Sequence, residues 1–124
     1  MSYMNRLGNC TNPYQGATKK VLCVCSAGLL RSPTAAVVLS QEPFNYNTRA
    51  AGISTEYALV QVDDVLLTWA DEIVCMDSNQ QTQLQFKLSK LGLDTEVINL
   101  NIEDSFAYRD PELMGIIKEN YNGI

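Results

Sequence analysis

The 124-residue sequence contains no histidine. That absence excludes Ser–His and Cys–His catalytic pairs and the imidazole ligands of most zinc sites. Long apolar runs are also missing, so no membrane-spanning helix is expected. Met1 to Gly16 is polar and lacks the apolar centre of a secretory leader, which predicts a cytoplasmic chain. Positive charge is scarce, with 9 Lys and Arg against 14 Asp and Glu, a net charge of −5. A broad basic face for nucleic acid is therefore excluded, although a local site for a small anion is not. Cysteine is limited to Cys10, Cys23, Cys25 and Cys75. In a cytosolic chain these thiols are expected to stay reduced. Cys23 and Cys25 stand too close in sequence for a zinc knuckle, so neither metal nor cofactor is expected.

What is present suits one domain. A hydrophobic fraction of 46% against 19% charged residues provides enough apolar surface for a core without disulfides. Residues 1–18, with Gly8, Pro13 and Gly16, read as an irregular arm, and residues 19–124 as a single α/β domain. Lys20 to Cys25 is an apolar run of strand length. Ser32 to Gln41 predicts a helix, with Ser32 as N-cap and Pro33 at the first helical position. Thr48 to Ala51, Glu72 to Met76 and Glu96 to Leu100 predict three further strands. Helices are predicted over Ala58 to Ala70, from Asp77 to about Lys90, and over Pro111 to Tyr121 with Asp110 as cap. Regular β-α alternation implies a parallel sheet between two helical layers, with the ligand site at the carboxyl ends of the strands.

Cys25 closes the first strand, and the short segment Ser26 to Leu30 leads to Arg31 and Ser32. Successive backbone N–H groups in such a turn can form an anion cradle at a helix start. Gly28 supplies backbone freedom, and the planar fork of Arg31 matches two oxygens of a phosphate. The Ser32 hydroxyl is placed to hydrogen-bond the sulfur. Together these groups favour a thiolate facing a bound phosphate, which can attack phosphorus to form a phosphocysteine. Phosphate-binding candidates are thus Ser26, Ala27, Gly28, Leu29, Leu30, Arg31 and Ser32, with Cys25 as nucleophile. Cys23 and Cys75 read as small buried hydrophobes.

The segment "CSAGLLRSPTAA" resembles the signature loop of low-molecular-weight protein tyrosine phosphatases, C-x5-R-S followed by Pro and a small-residue helix. "TRAAGI", "WADEIVCMD" and "VINLNIEDSFAYRDPEL" look like the later segments of that family, so the resemblance runs along most of the chain from Val21. It implies a three-layer α/β/α fold, a four-stranded parallel sheet in the order 2-1-3-4, no metal, and a phosphotyrosine protein or small aryl phosphate as substrate. Ala27 and Gly28 depart from the Gly and Asn usual at those positions of the loop, and no second cysteine stands at Leu30.

Without histidine, the leaving oxygen must be protonated by a carboxylic acid. Asp104, in "IEDSFAY", falls where the family places its acid, with Ser105 in place of Pro and Phe106 at an aromatic position. Phe106 and Tyr108 are candidates to wall a pocket for a flat phosphorylated ring. Asp110 retains the Asp-Pro pair and is the alternative acid, although Asp-Pro-Glu before an apolar run is also a helix start. Three other readings fit parts of the pattern. "VLCVCSAG" looks like the active loop of cysteine-phosphorylated B subunits of sugar phosphotransferase systems, which lack an arginine at the place of Arg31. Arsenate reduction on a related fold needs a relay of thiols for which Cys10 and Cys75 are too few. A phosphate- or phosphopeptide-binding module with weak catalysis needs only the loop.

Overall fold

The computed structural model describes residues 19–25, 31–53, 60–102 and 110–122. Eight elements alternate along the chain: β1 (Lys20–Cys25), α1 (Arg31–Ser40), β2 (Asn47–Gly52), α2 (Asp64–Trp69), β3 (Glu72–Cys75), α3 (Ser78–Lys90), β4 (Glu96–Asn99) and α4 (Pro111–Asn122). The four strands are parallel in the order β2-β1-β3-β4, the order implied by the resemblance. The arm at residues 1–18 lies outside the described residues.

Strand period two divides the core cleanly between the faces. Val21, Cys23 and Cys25 join a cluster with Ala35, Leu39, Leu113 and Ile117, under α1 and α4. Leu22 and Val24 face the other way, onto Leu66, Leu67, Leu84 and Leu88 of α2 and α3. Both faces of β1 are therefore dry, which is why its sequence is an unbroken apolar run. Thr48 Oγ1 donates to the Ala36 carbonyl at 2.8 Å, so a polar side chain on β2 is accommodated against α1. No helix among the described residues is long and apolar enough to cross a membrane.

Most element ends lie within one residue of the sequence-based expectation, and two differences change the role of the residues involved. Residues 60–63, expected within a helix, are not helical. Gly52 N–H donates to the Val60 carbonyl at 2.8 Å, Val62 N–H to the Gly52 carbonyl at 3.0 Å, and Gln61 forms a parallel bridge with Gly52. That long-range pairing outcompetes the local helical spacing, and Asp63 caps α2 by accepting from Leu66 N–H at 2.9 Å. The other difference is at α1, which begins at Arg31, so Ser32 lies inside the helix rather than capping it. Gly92, after α3, has φ of +71°, a left-handed conformation that glycine adopts without penalty.

At the N-terminal end of the sheet, Glu72 is a buried carboxylate with two donors. Lys19 Nζ lies 3.0 Å from its Oε2, and the Tyr121 hydroxyl donates to Oε1 at 2.7 Å. Burial, followed by the bond to Glu72, pushes the Tyr121 phenol well above its ordinary range. Cys75, at the end of β3, is pushed up to about 12 by burial and by the nearby Asp77 carboxylate. Both shifts have the same sign. Each folded-state group holds its proton more tightly than in the unfolded chain, so the stabilisation is complete below the unfolded value and is lost as pH rises. For Cys75 that window runs from 9.0 to about 12. Urea unfolding midpoints are expected to be insensitive to these two groups at neutral pH and to fall steadily above pH ~9. A Cys75→Ala variant should show a shallower alkaline decline.

Candidate active site

In parallel sheets the strand order reverses beside the first strand, and that crevice is the usual ligand site. Here β1 lies between β2 and β3, and Cys25 is its last residue. The Cys25 carbonyl accepts from Ile53 N–H at 3.0 Å, which fixes the strand end against the β2 side. The side chain is on the α1–α4 face and only 3% exposed.

The sulfur is paired with the next element. Cys25 Sγ donates to Ser32 Oγ at 3.2 Å, and Ser32 Oγ donates to the Ala51 carbonyl at 3.2 Å. The expected Ser32–sulfur contact is thus present, and it explains why the hydroxyl does not cap its helix. When the sulfur is ionised, the same hydroxyl can turn to donate to it, giving up Ala51.

Arg31 starts α1 and is 4% exposed. Its Nη1 donates to the Ile102 carbonyl at 2.7 Å. Arg31 thereby joins the helix start to the last described residue before 103–109, the segment that contains Asp104. A guanidinium at the positive end of a ten-residue helix concentrates positive potential close to Cys25. That combination is suited to a bound dianion.

The remaining expectations divide as follows. Ser26, Ala27, Gly28, Leu29 and Leu30 lie outside the described residues, as do Asp104, Phe106 and Tyr108. Asp110 is described, and its Oδ1 accepts from Glu112 N–H at 2.9 Å while its carbonyl accepts from Met114 N–H at 2.9 Å. Its carboxylate is therefore engaged as the cap of α4, with Pro111 beside it. Cys23 and Cys75 are fully buried in opposite core clusters. Ala51 and Ile102, whose carbonyls hold Ser32 and Arg31, were not among the expected site residues. Their contribution is a backbone carbonyl, which leaves no mark in residue type.

No family profile and no curated protein sequence matches the chain. Solved structures do match its fold. The YwlE arginine phosphatase of Geobacillus stearothermophilus is 19% identical, covers 84% of this chain and 86% of its own, and gives a TM-score of 0.61. Vibrio vulnificus Wzb, solved with benzylphosphonate, is 16% identical over 86% of this chain and 97% of its own, with a TM-score of 0.63. A low-molecular-weight phosphotyrosine phosphatase from Vibrio cholerae is 18% identical over 82% of this chain and 91% of its own, with a TM-score of 0.58. The β2-β1-β3-β4 sheet, its two helical layers and these likenesses lead to one conclusion: the chain is a divergent protein with the low-molecular-weight protein tyrosine phosphatase fold.

Proposed function

We propose that the chain is a cysteine-dependent phosphomonoesterase of the protein tyrosine phosphatase type, acting in the cytoplasm on phosphotyrosine proteins or small aryl phosphates without a cofactor. The observation that carries this reading is the Cys25 sulfur at 3.2 Å from Ser32 Oγ, with the buried Arg31 at the same helix start. The aromatic ligand benzylphosphonate in a structure of the same fold supports an aryl substrate.

In the proposed reaction the phosphate dianion lies against residues 26–32 and the Arg31 fork. The Cys25 thiolate attacks phosphorus in line, the P–O bond to the leaving group breaks, and Asp104 gives its proton to the departing oxygen. Water then attacks the phosphocysteine with Asp104 as base, the S–P bond breaks, and inorganic phosphate leaves. The bond charge at phosphorus is met by fixed donors, which is where most phosphoryl-transfer catalysis resides. Arg31 favours this hydrolytic reading over a phosphocarrier, whose loop lacks that residue.

Purified protein in the presence of a metal chelator is expected to hydrolyse an aryl phosphate between pH 5 and 8, and Ser32→Ala is expected to lower kcat about tenfold to a hundredfold. Absence of any phosphate release over that range contradicts the assignment. Because one fold neighbour is an arginine phosphatase, phosphoarginine belongs in the same assay. Faster release from phosphoarginine than from phosphotyrosine would keep the cysteine chemistry and change the substrate class.

A further inference from the structure

The turn that follows β4 is held by a series of specific hydrogen bonds. Leu100 N–H donates to the Cys75 carbonyl at 2.9 Å, and Ile102 N–H to the Met76 carbonyl at 2.8 Å, so the β3 edge continues to direct the chain past the end of the strand. Between them Asn101 has φ of +54°, a left-handed conformation that asparagine tolerates far better than most side chains. Asn101 N–H donates to Asn99 Oδ1 at 2.8 Å, and Asn99 Nδ2 donates back to Asn101 Oδ1 at 3.1 Å. From α4, Asn120 Nδ2 donates to the Leu100 carbonyl at 2.7 Å. The last group in the series is the Ile102 carbonyl, and it accepts from Arg31.

Asn101 is exposed and Ile102 is buried, so the side chain of Asn101 adds nothing to the core. What the left-handed residue does is reverse the backbone between two ladder bonds, which aims the Ile102 carbonyl at the guanidinium. We propose that Asn101 is a positioning residue for Arg31: its left-handed backbone, bracketed by Asn99, sets the carbonyl that orients the fork toward a bound phosphate. The proposal rests on the phosphatase reading above. A guanidinium has five donors in one rigid plane, so anchoring one of them restricts the directions open to the rest.

The test compares inorganic phosphate affinity, read both as competitive inhibition of aryl phosphate hydrolysis and as protection of Cys25 from alkylation. Asn101→Ala, which disfavours the left-handed conformation, is expected to weaken phosphate about tenfold, whereas Asn101→Gly and Asn101→Asp, which allow it, are expected to stay within about twofold of the parent protein. Glu72→Gln, at the opposite end of the sheet, serves as the control: it should lower the urea midpoint and leave the phosphate constant unchanged. An unchanged constant in Asn101→Ala, or an equal loss in Glu72→Gln, overturns the positioning role while leaving the phosphatase reading intact. A parent protein that neither hydrolyses aryl phosphate nor shows phosphate protection overturns both.

Discussion

Cys25→Ser is expected to cut aryl phosphate hydrolysis by at least about ten-thousandfold while phosphate affinity is retained. A serine hydroxyl at this position has the size of the thiol and can keep the contact with Ser32, which lies 3.2 Å from the sulfur. It cannot ionise near neutral pH, and the site contains no histidine to activate it. In the proposed mechanism anion binding rests on the helix start and Arg31 rather than on the sulfur, so phosphate binding, read as ligand-induced stabilisation, should survive. A residual activity within tenfold of the parent protein would mean that sulfur is not the nucleophile.

The second large effect is expected at Arg31. Arg31→Lys keeps the charge and removes the planar fork, so it isolates geometry from electrostatics. A loss of about a hundredfold to a thousandfold in kcat/KM is expected, with kcat falling as well as KM rising, if the fork stabilises the transferring phosphoryl group as proposed. Lysine is a cleaner probe than alanine. Arg31→Ala would leave the buried Ile102 carbonyl without its 2.7 Å donor, and an unsatisfied buried acceptor costs about 1–3 kcal/mol in stability. Kinetic loss in Arg31→Lys without a matching change in the unfolding midpoint separates function from folding. An unchanged kcat/KM would remove Arg31 from the chemistry.

The parts of this fold that were readable in the sequence are those governed by local rules. The apolar run Lys20 to Cys25 became β1 with the expected bounds, and its alternation between two core clusters follows from strand period alone. Asp77 and Asp110 cap helices as their side-chain chemistry dictates. The strand order came from the resemblance of the Cys25–Ser32 loop to a family, and the sheet has that order. Features set by distant partners were not readable. Residues 60–63 carry helical spacing, yet pairing with Gly52 keeps them out of the helix. One partner of Arg31 is a carbonyl 71 positions away, and carbonyls are common to every residue type. The Asn99–Leu100–Asn101 spacing was the one available signal for the turn beyond β4, since asparagines two apart can bracket a left-handed residue.

The central claim is that sulfur at position 25 attacks a phosphate held at the start of α1. Rapid alkaline quenching during steady-state turnover of an aryl phosphate, followed by peptide mapping by mass spectrometry without acid exposure, tests it directly. Phosphate carried on the peptide that contains Cys25, and lost in Cys25→Ser, is the predicted result. Sustained turnover with Cys25 unmodified at every quench time, or phosphate recovered on another side chain, would contradict it.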